Sequence, residues 1–342
     1  TLPPLTRAAV AVREAAQEQA RAHLAPDEAA LLLGMLLSER GRLPADLDDA
    51  FTRTGTVHIL SVSGMHVAVI AALLLWCFRT LTVPRKTANL LCIPLVWLFA
   101  LAASGGDATG SAPAFRAALC ATVVLAAPLL RRDAEPLHSL AFAALVLLAL
   151  DPQTLFDPGA QLSFATVATI LVWLPLLEKG LFLREPGMAR IARFSRGVLA
   201  ALAVGVAAHA GSWPLAGFYF HQFSIVAPLA NLPISLLADV LLVVGLLLCL
   251  LPALPLWWLV SQGLQLLCSL ALAFAAPFWA SVSVASPPLP LIAVYYLLLG
   301  GTASFARAML APRRLFAPTP PNPGDGGHRA AASAVPAALG EP

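Results

Sequence analysis

His58, Ser61, Ser63 and His66 surround Gly64 in HILSVSGMHVAVIAALLLWCF, residues 58–78, a stretch that turns from hydrogen-bonding side chains into an unbroken apolar run. Two readings of these groups are open. In one, the serine hydroxyls bond back to carbonyls of their own helix and His58 sits at an interface, which is ordinary satisfied polarity. In the other, serines that compete for backbone carbonyls and a glycine that adds backbone freedom open the helix, so that it lines a wet path. Ser63 in Val-Ser-Gly also has the type of an activated nucleophile, with His209 on a later segment as its base.

Further polar groups fall inside apolar runs: Arg116, Gln161 with Ser163, His209, Asn231 and Asp239. A charge at mid-membrane costs about 2.5–3.5 kcal/mol on insertion scales, so such groups face a wet or protein-lined interior. Arg116 either snorkels to the outer interface or stands as a fixed positive charge at the outer mouth of a pore. Interhelical hydrogen bonding is the simplest role for Gln161 and Ser163. His209 and Asp239 lie deep enough to pair with each other. Trp213, Phe218, Tyr219, Phe220 and Phe223 gather in WPLAGFYFHQF, residues 213–223. They form either an aromatic belt at the headgroup level or a platform, led by Trp213, Tyr219 and Phe220, on which bases stack. There is no G-x-x-x-x-G-K-[ST] and no H-E-x-x-H, and the cysteines stand singly in apolar runs, so neither a cofactor nor a metal is expected.

These groups need elements to position them, and composition says which kind. With 59% hydrophobic and 11% charged residues among 342, and a mean hydropathy of +0.82, the chain is far more apolar than a soluble domain of its length. Runs long enough to cross a bilayer fall near 57–78, 87–103, 112–130, 137–150, 159–177, 197–216, 225–251, 254–276 and 289–309. Pro228, Asn231, Pro233 and Asp239 in the first half of 225–251 suggest a broken or re-entrant helix there. Lys and Arg mark alternate loops: Arg79, Arg85 and Lys86; Arg131 and Arg132; Lys179, Arg184, Arg190, Arg193 and Arg196. The intervening loops carry none, which sets the N-terminal segment outside and the C-terminal tail, with Arg313 and Arg314, inside.

The fold class expected is all-α, a polytopic membrane protein with about nine transmembrane helices, some broken or re-entrant. Residues 1–56 read as an outer-face interfacial or re-entrant helical segment, in which residues 29–38 are apolar but too short to span. Residues 57–309 form the transmembrane domain. Residues 310–342, rich in Pro, Gly and Ala, read as a disordered cytoplasmic tail. A start at Thr1, without a basic region and cleavage site, reads as an excerpt or a trimmed product.

Thr54-Gly-Thr-Val-His58-Ile-Leu-Ser-Val-Ser-Gly-Met-His66 resembles the signature block of the ComEC competence family, which enters the first membrane span. Ser111-Ala-Pro-Ala-Phe-Arg116-Ala117 resembles that family's small-residue loop followed by Arg-Ala. Asp157-Pro-Gly-Ala-Gln-Leu-Ser-Phe164 resembles its Gln-Leu-Ser-Phe block, and Trp213-Pro followed by Pro228-Leu-Ala-Asn231-Leu-Pro233 resembles a later one. The blocks occur in the family's order over roughly residues 30–305, and four in order are specific where one would be weak. Ala160 departs from the aromatic usual at its position. The OB-type and metallo-β-lactamase-like domains often found in the family are not in this chain, which looks like the membrane core alone.

The resemblance implies an inner-membrane channel that moves single-stranded DNA into the cytoplasm during natural transformation. It implies the lipid bilayer, a periplasmic DNA receptor and a cytoplasmic helicase or motor as partners, and it leaves room for a homo-oligomer. No catalytic site is expected. Two rivals stand beside this reading: a secondary transporter of a small solute, built on helices broken near Gly64 and Pro233, and an intramembrane serine hydrolase using Ser63.

Overall fold

In lipid every backbone N–H and C=O must find its partner within the protein, so apolar runs of roughly 20 residues fold as helices. The computed structural model describes residues 3–39, 43–105, 113–131, 135–180, 190–251 and 255–310, with 190–194 as backbone alone. Three helices come first: α1 (Pro4–His23), α2 (Pro26–Leu37) and α3 (Ala45–Arg53). An apolar set follows, with α4 (Gly64–Thr80), α5 (Arg85–Ala103), α6 (Pro113–Ala126), α7 (Pro136–Leu150) and α8 (Pro158–Gly180). Then come α9 (Arg190–Phe220), α10 (Ala227–Leu250), α11 (Trp257–Ala275) and α12 (Leu289–Leu310). Short strands β1 (Gln222–Ser224) and β2 (Ser281–Ser283) pair antiparallel, Phe223 opposite Val282, and tie the α9–α10 loop to the α11–α12 loop.

The protein is therefore all-α and multi-pass. Six of the helices, α5 and α8 to α12, are long and apolar enough to cross a membrane, and α4, α6 and α7 are shorter apolar helices. Large apolar side chains such as Trp76, Trp258 and Leu297 point outward, as they must where the surrounding solvent is hydrocarbon. The tail expectation beyond Leu310 lies outside the described residues, as do Asp107, Ser111, Arg132, Arg184, Arg313 and Arg314 and the side chains of Arg190 and Arg193.

Two sequence expectations are corrected. The first span does not begin at residue 57: residues 57–60 form a 3₁₀ turn, Ser61 is extended, and the helix starts only at Gly64. The span over 225–251 is not broken. Helix α10 runs from Ala227 to Leu250 with Pro233 inside it, because Ala230, Ile234, Ala238 and Leu242 are buried and hold the continuous helix against its neighbours.

Within the N-terminal segment, α2 is enclosed by the bundle, with Ala29 through Leu37 all buried. Leu32 lies against Gly245 of α10, and Glu28 accepts hydrogen bonds from Ser261 and Gln265 of α11. At the hairpin tip the His23 ring stacks on Trp257, with centroids 4.9 Å apart, where α11 begins. Helix α1 packs through Ala9, Ala16 and Ala20.

Without a hydrophobic drive between helices in lipid, close approach at small residues holds the bundle together. One that meets backbone is Gly211 of α9 against α8. A Cβ at 211 would stand 2.7 Å from Thr169 Oγ1 and 2.9 Å from the Ala165 carbonyl oxygen, and the carbonyl cannot swing away as a side-chain tip can. Gly211→Ala is therefore expected to force α8 and α9 apart at a cost of about 1–3 kcal/mol. A lower midpoint in thermal unfolding of the detergent-solubilised protein is the expected result; an unchanged midpoint would contradict the packing.

Candidate functional site

Ser63 has extended backbone at φ −96°, ψ 170° and caps α4: its Oγ accepts from His66 N at 3.4 Å, while Ser63 N donates to His66 Nδ1 at 3.3 Å. This reciprocal cap starts the helix at Gly64 and fixes the buried His66 ring, which is 2% exposed. The residues before the cap have left the helical ladder and need other partners. Val62 N donates to Ser38 Oγ at 3.0 Å, and Ser61 Oγ donates to the His58 carbonyl at 3.4 Å. His58 is exposed and its Nδ1 faces the Gly55 carbonyl at 3.2 Å. The break over 57–63 is thus a built feature, with a positive φ of 70° at Gly55 turning the chain into it. Ser61 does bond back to the chain, and over 57–63 a 3₁₀ turn and extended residues stand in place of α-helix.

Arg116 neither snorkels nor stands as a free charge. It is 3% exposed and its Nη1 donates to Asp157 Oδ2 at 3.0 Å. The same carboxylate accepts from Gly159 N at 3.3 Å and Ala160 N at 2.9 Å, so Asp157 is at once the N-cap of α8 and the counter-ion of Arg116. The first turns of α4 and α6 meet as well, Gly64 facing Ala117. The structure therefore gathers the starts of α4, α6 and α8, with His66, Arg116 and Asp157 on them.

Gln161 makes the interhelical bond expected of it: Oε1 accepts from Tyr219 OH of α9 at 2.8 Å, and Nε2 donates to the Leu155 carbonyl at 2.8 Å. Ser163 is exposed. The pairing of His209 with Asp239 is a correction. The His209 ring lies 6.0 Å from Trp213 on its own helix, and among the described residues no ion pair joins it to Asp239, which lies half-buried on α10. Asn231 presents a buried Oδ1 that has no hydrogen-bond partner among the described residues. Nor does a hydrogen bond join Ser63 to His209 among them, as a nucleophile and its base would require. Of the aromatic group, Trp213 packs on Phe223 at 5.0 Å and Tyr219 lies edge-on to Phe218 at 5.0 Å, while Phe220 stands 62% exposed. Two of the three candidate stacking rings are thus engaged within the fold.

Sequence reasoning missed Arg13. Its Nη1 donates to the carbonyls of Leu37 at 3.1 Å and Ala102 at 2.9 Å, and its Nη2 to Glu39 Oε1 at 2.6 Å. One guanidinium so closes the C-terminal ends of both α2 and α5, where carbonyls lack helical donors and a cation is favoured. Gln17 Nε2 also donates to Glu39.

A family model described as "Competence protein" matches residues 35–308. A curated relative, ComE operon protein 3 of Bacillus subtilis (strain 168), is 29% identical over 210 residues, covering 61% of this chain and 24% of the relative. The chain thus spans about a quarter of the length of that relative. No solved structure matches.

Proposed function

The chain belongs to the competence protein family, and on that premise we propose that it is an inner-membrane channel that passes single-stranded DNA into the cytoplasm during natural transformation. Residues 57–309 form the channel unit, with the first 56 packed into it, the N-terminal segment outside and the C-terminal tail inside. The observation that carries the reading is the open segment 57–63 before α4, where Ser61, Ser63 and His66 bring hydroxyl and imidazole groups into an otherwise apolar bundle. Hydrocarbon cannot accommodate one phosphate charge per nucleotide, so passage needs a polar lining. Conduction needs contacts weak enough to release the strand, and serine, histidine, amide and already-paired arginine groups supply that better than free cations.

His58, Ser61, Ser63, Gly64 and His66 line the path. Arg116, Gln161, Ser163, His209, Asn231 and Asp239 stand along it, and Trp213, Tyr219 and Phe220 serve bases at its mouth. The chain performs no catalysis in this reading. A periplasmic DNA receptor delivers the strand and a cytoplasmic motor draws it in. The transporter alternative relied on a second broken helix near Pro233, and the continuity of α10 removes that support.

A photo-reactive amino acid in place of Ser63 tests the reading during active uptake. Cross-linking to incoming DNA from position 63, with none from the outward-facing position of Trp258, is the expected pattern. Equal capture from both positions, or capture from neither, would argue against a path along this segment.

A further inference from the structure

Pro214 stands inside α9. A proline has no N–H, so the carbonyl four residues back, at Ala210, loses its helical donor. The ring also crowds that turn. At membrane depth lipid offers no replacement, and other groups of the protein must bond that oxygen. In this molecule the donors come from α12. Tyr295 OH donates to the Ala210 carbonyl at 2.9 Å, and Tyr296 OH donates to the Gly211 carbonyl at 2.7 Å. Two consecutive tyrosines thus bond two consecutive carbonyls in the turn before Pro214, the first of which the proline leaves without its helical donor.

The rest of the surroundings make this bracing consequential. Helix α12 buries only Ile292 and Ala303 among its described residues and packs on α8 as well as α9, and the two tyrosine bonds fasten it to α9. On the other sides of α9, Gly211 is pressed against Thr169 of α8, and Gly217 against the Phe223 ring of β1. The segment beyond Pro214 carries Phe218, Tyr219 and Phe220, and Tyr219 reaches across to Gln161 of α8. The stretch around Pro214 is held from three sides, and beyond it lies the aromatic end of α9.

We propose that Tyr295 and Tyr296 are positioning residues: by bonding the Ala210 and Gly211 carbonyls they brace α9 at Pro214 and set where its aromatic end stands. The consequence for DNA rests on the path reading given above, whereas the brace itself does not.

The test exploits the cause of the unmet carbonyl. Changing both tyrosines to phenylalanine keeps the rings and removes only the hydroxyl donors. In the protein reconstituted in nanodiscs, amide hydrogen exchange over residues 215–220 is expected to rise about tenfold in Tyr295→Phe/Tyr296→Phe, since each lost bond to a buried carbonyl opens the turn. Pro214→Ala returns an N–H to the Ala210 carbonyl. In that background the same double change is expected to raise exchange less than about threefold. An equal rise in both backgrounds, or no rise in either, would overturn the brace. Should the double variant not assemble, Tyr295→Phe alone, paired with Pro214→Ala, carries the same comparison.

DNA uptake by cells carrying these variants gives the second readout. A drop of about tenfold with the double change, recovered when Pro214→Ala is added, supports the positioning role. Raised exchange with unchanged uptake would overturn that role. Normal uptake in a gene deletion would instead sink the path reading and leave the exchange result standing.

Discussion

Replacing Asp157 by alanine is expected to be the most damaging single change in the polar heart of the molecule. Its carboxylate accepts from Arg116 Nη1 at 3.0 Å, Ala160 N at 2.9 Å and Gly159 N at 3.3 Å, so one side chain starts α8 and neutralises a guanidinium that is 3% exposed. Breaking a buried pair by removing one partner costs about 3–5 kcal/mol, because the remaining charge stays buried. Loss of the cap adds about 1 kcal/mol. Arg116→Met removes the charge together with its need for a counter-ion and is expected to cost less than Asp157→Ala. Combining Arg116→Met with Asp157→Asn, which keeps a capping oxygen, is expected to recover much of the loss. Thermal unfolding of the four purified proteins checks this order. An Asp157→Ala protein as stable as the parent would show that the pair contributes nothing. For Arg116 the expected loss of uptake on charge removal then acts through the fold, not through a bare cation meeting phosphate.

The second large effect is expected at Gly64, and there the fold is spared. A Cβ at 64 would meet only Ala117 Cβ, at 4.0 Å, so Gly64→Ala fits without strain. The position is exposed at the first turn of α4, beside the Ser63 cap and the open segment. A tryptophan there adds a whole ring at an exposed position beside the segment proposed to line the path. Gly64→Ala is expected to support uptake within about threefold of the parent, and Gly64→Trp to lower it by about a hundredfold or more, because a constriction of that size stops conduction. Both proteins should reach the membrane in equal amounts. Transformation frequency beside membrane abundance reads the result, and a normally competent Gly64→Trp strain would remove this position from the path.

Most of the helices were legible because a bilayer imposes one length and one polarity, and runs such as 87–103 and 289–309 meet both. The break before α4 was half legible. Ser-Val-Ser-Gly announced a weak helix, but hydropathy averaged over residues 57–63 could not tell a 3₁₀ turn and an extended cap from a first helical turn. At Pro233 the same kind of signal misled, since in a tightly packed membrane helix neighbours accommodate a proline that would end a helix in water. Asp157-Pro-Gly was readable as a helix start. Its bond to Arg116, 41 residues away, was not, because no spacing rule links two residues that meet only after α6 and α8 pack. Arg13 was illegible for a related reason: its partners are backbone carbonyls of Leu37 and Ala102, and no residue type advertises them. The tyrosine pair of α12 lies between these cases. A proline at 214 leaves one carbonyl without its helical donor, and only the packing of α12 on α9 shows which groups replace it.

The most direct measurement is made in the native host with this gene deleted, following fluorescent double-stranded DNA and scoring its position relative to the inner membrane. The account predicts that DNA still collects outside that membrane, that none passes it, and that transformants disappear until the gene is restored. DNA appearing in the cytoplasm at the normal rate, with normal transformant yield, would contradict it.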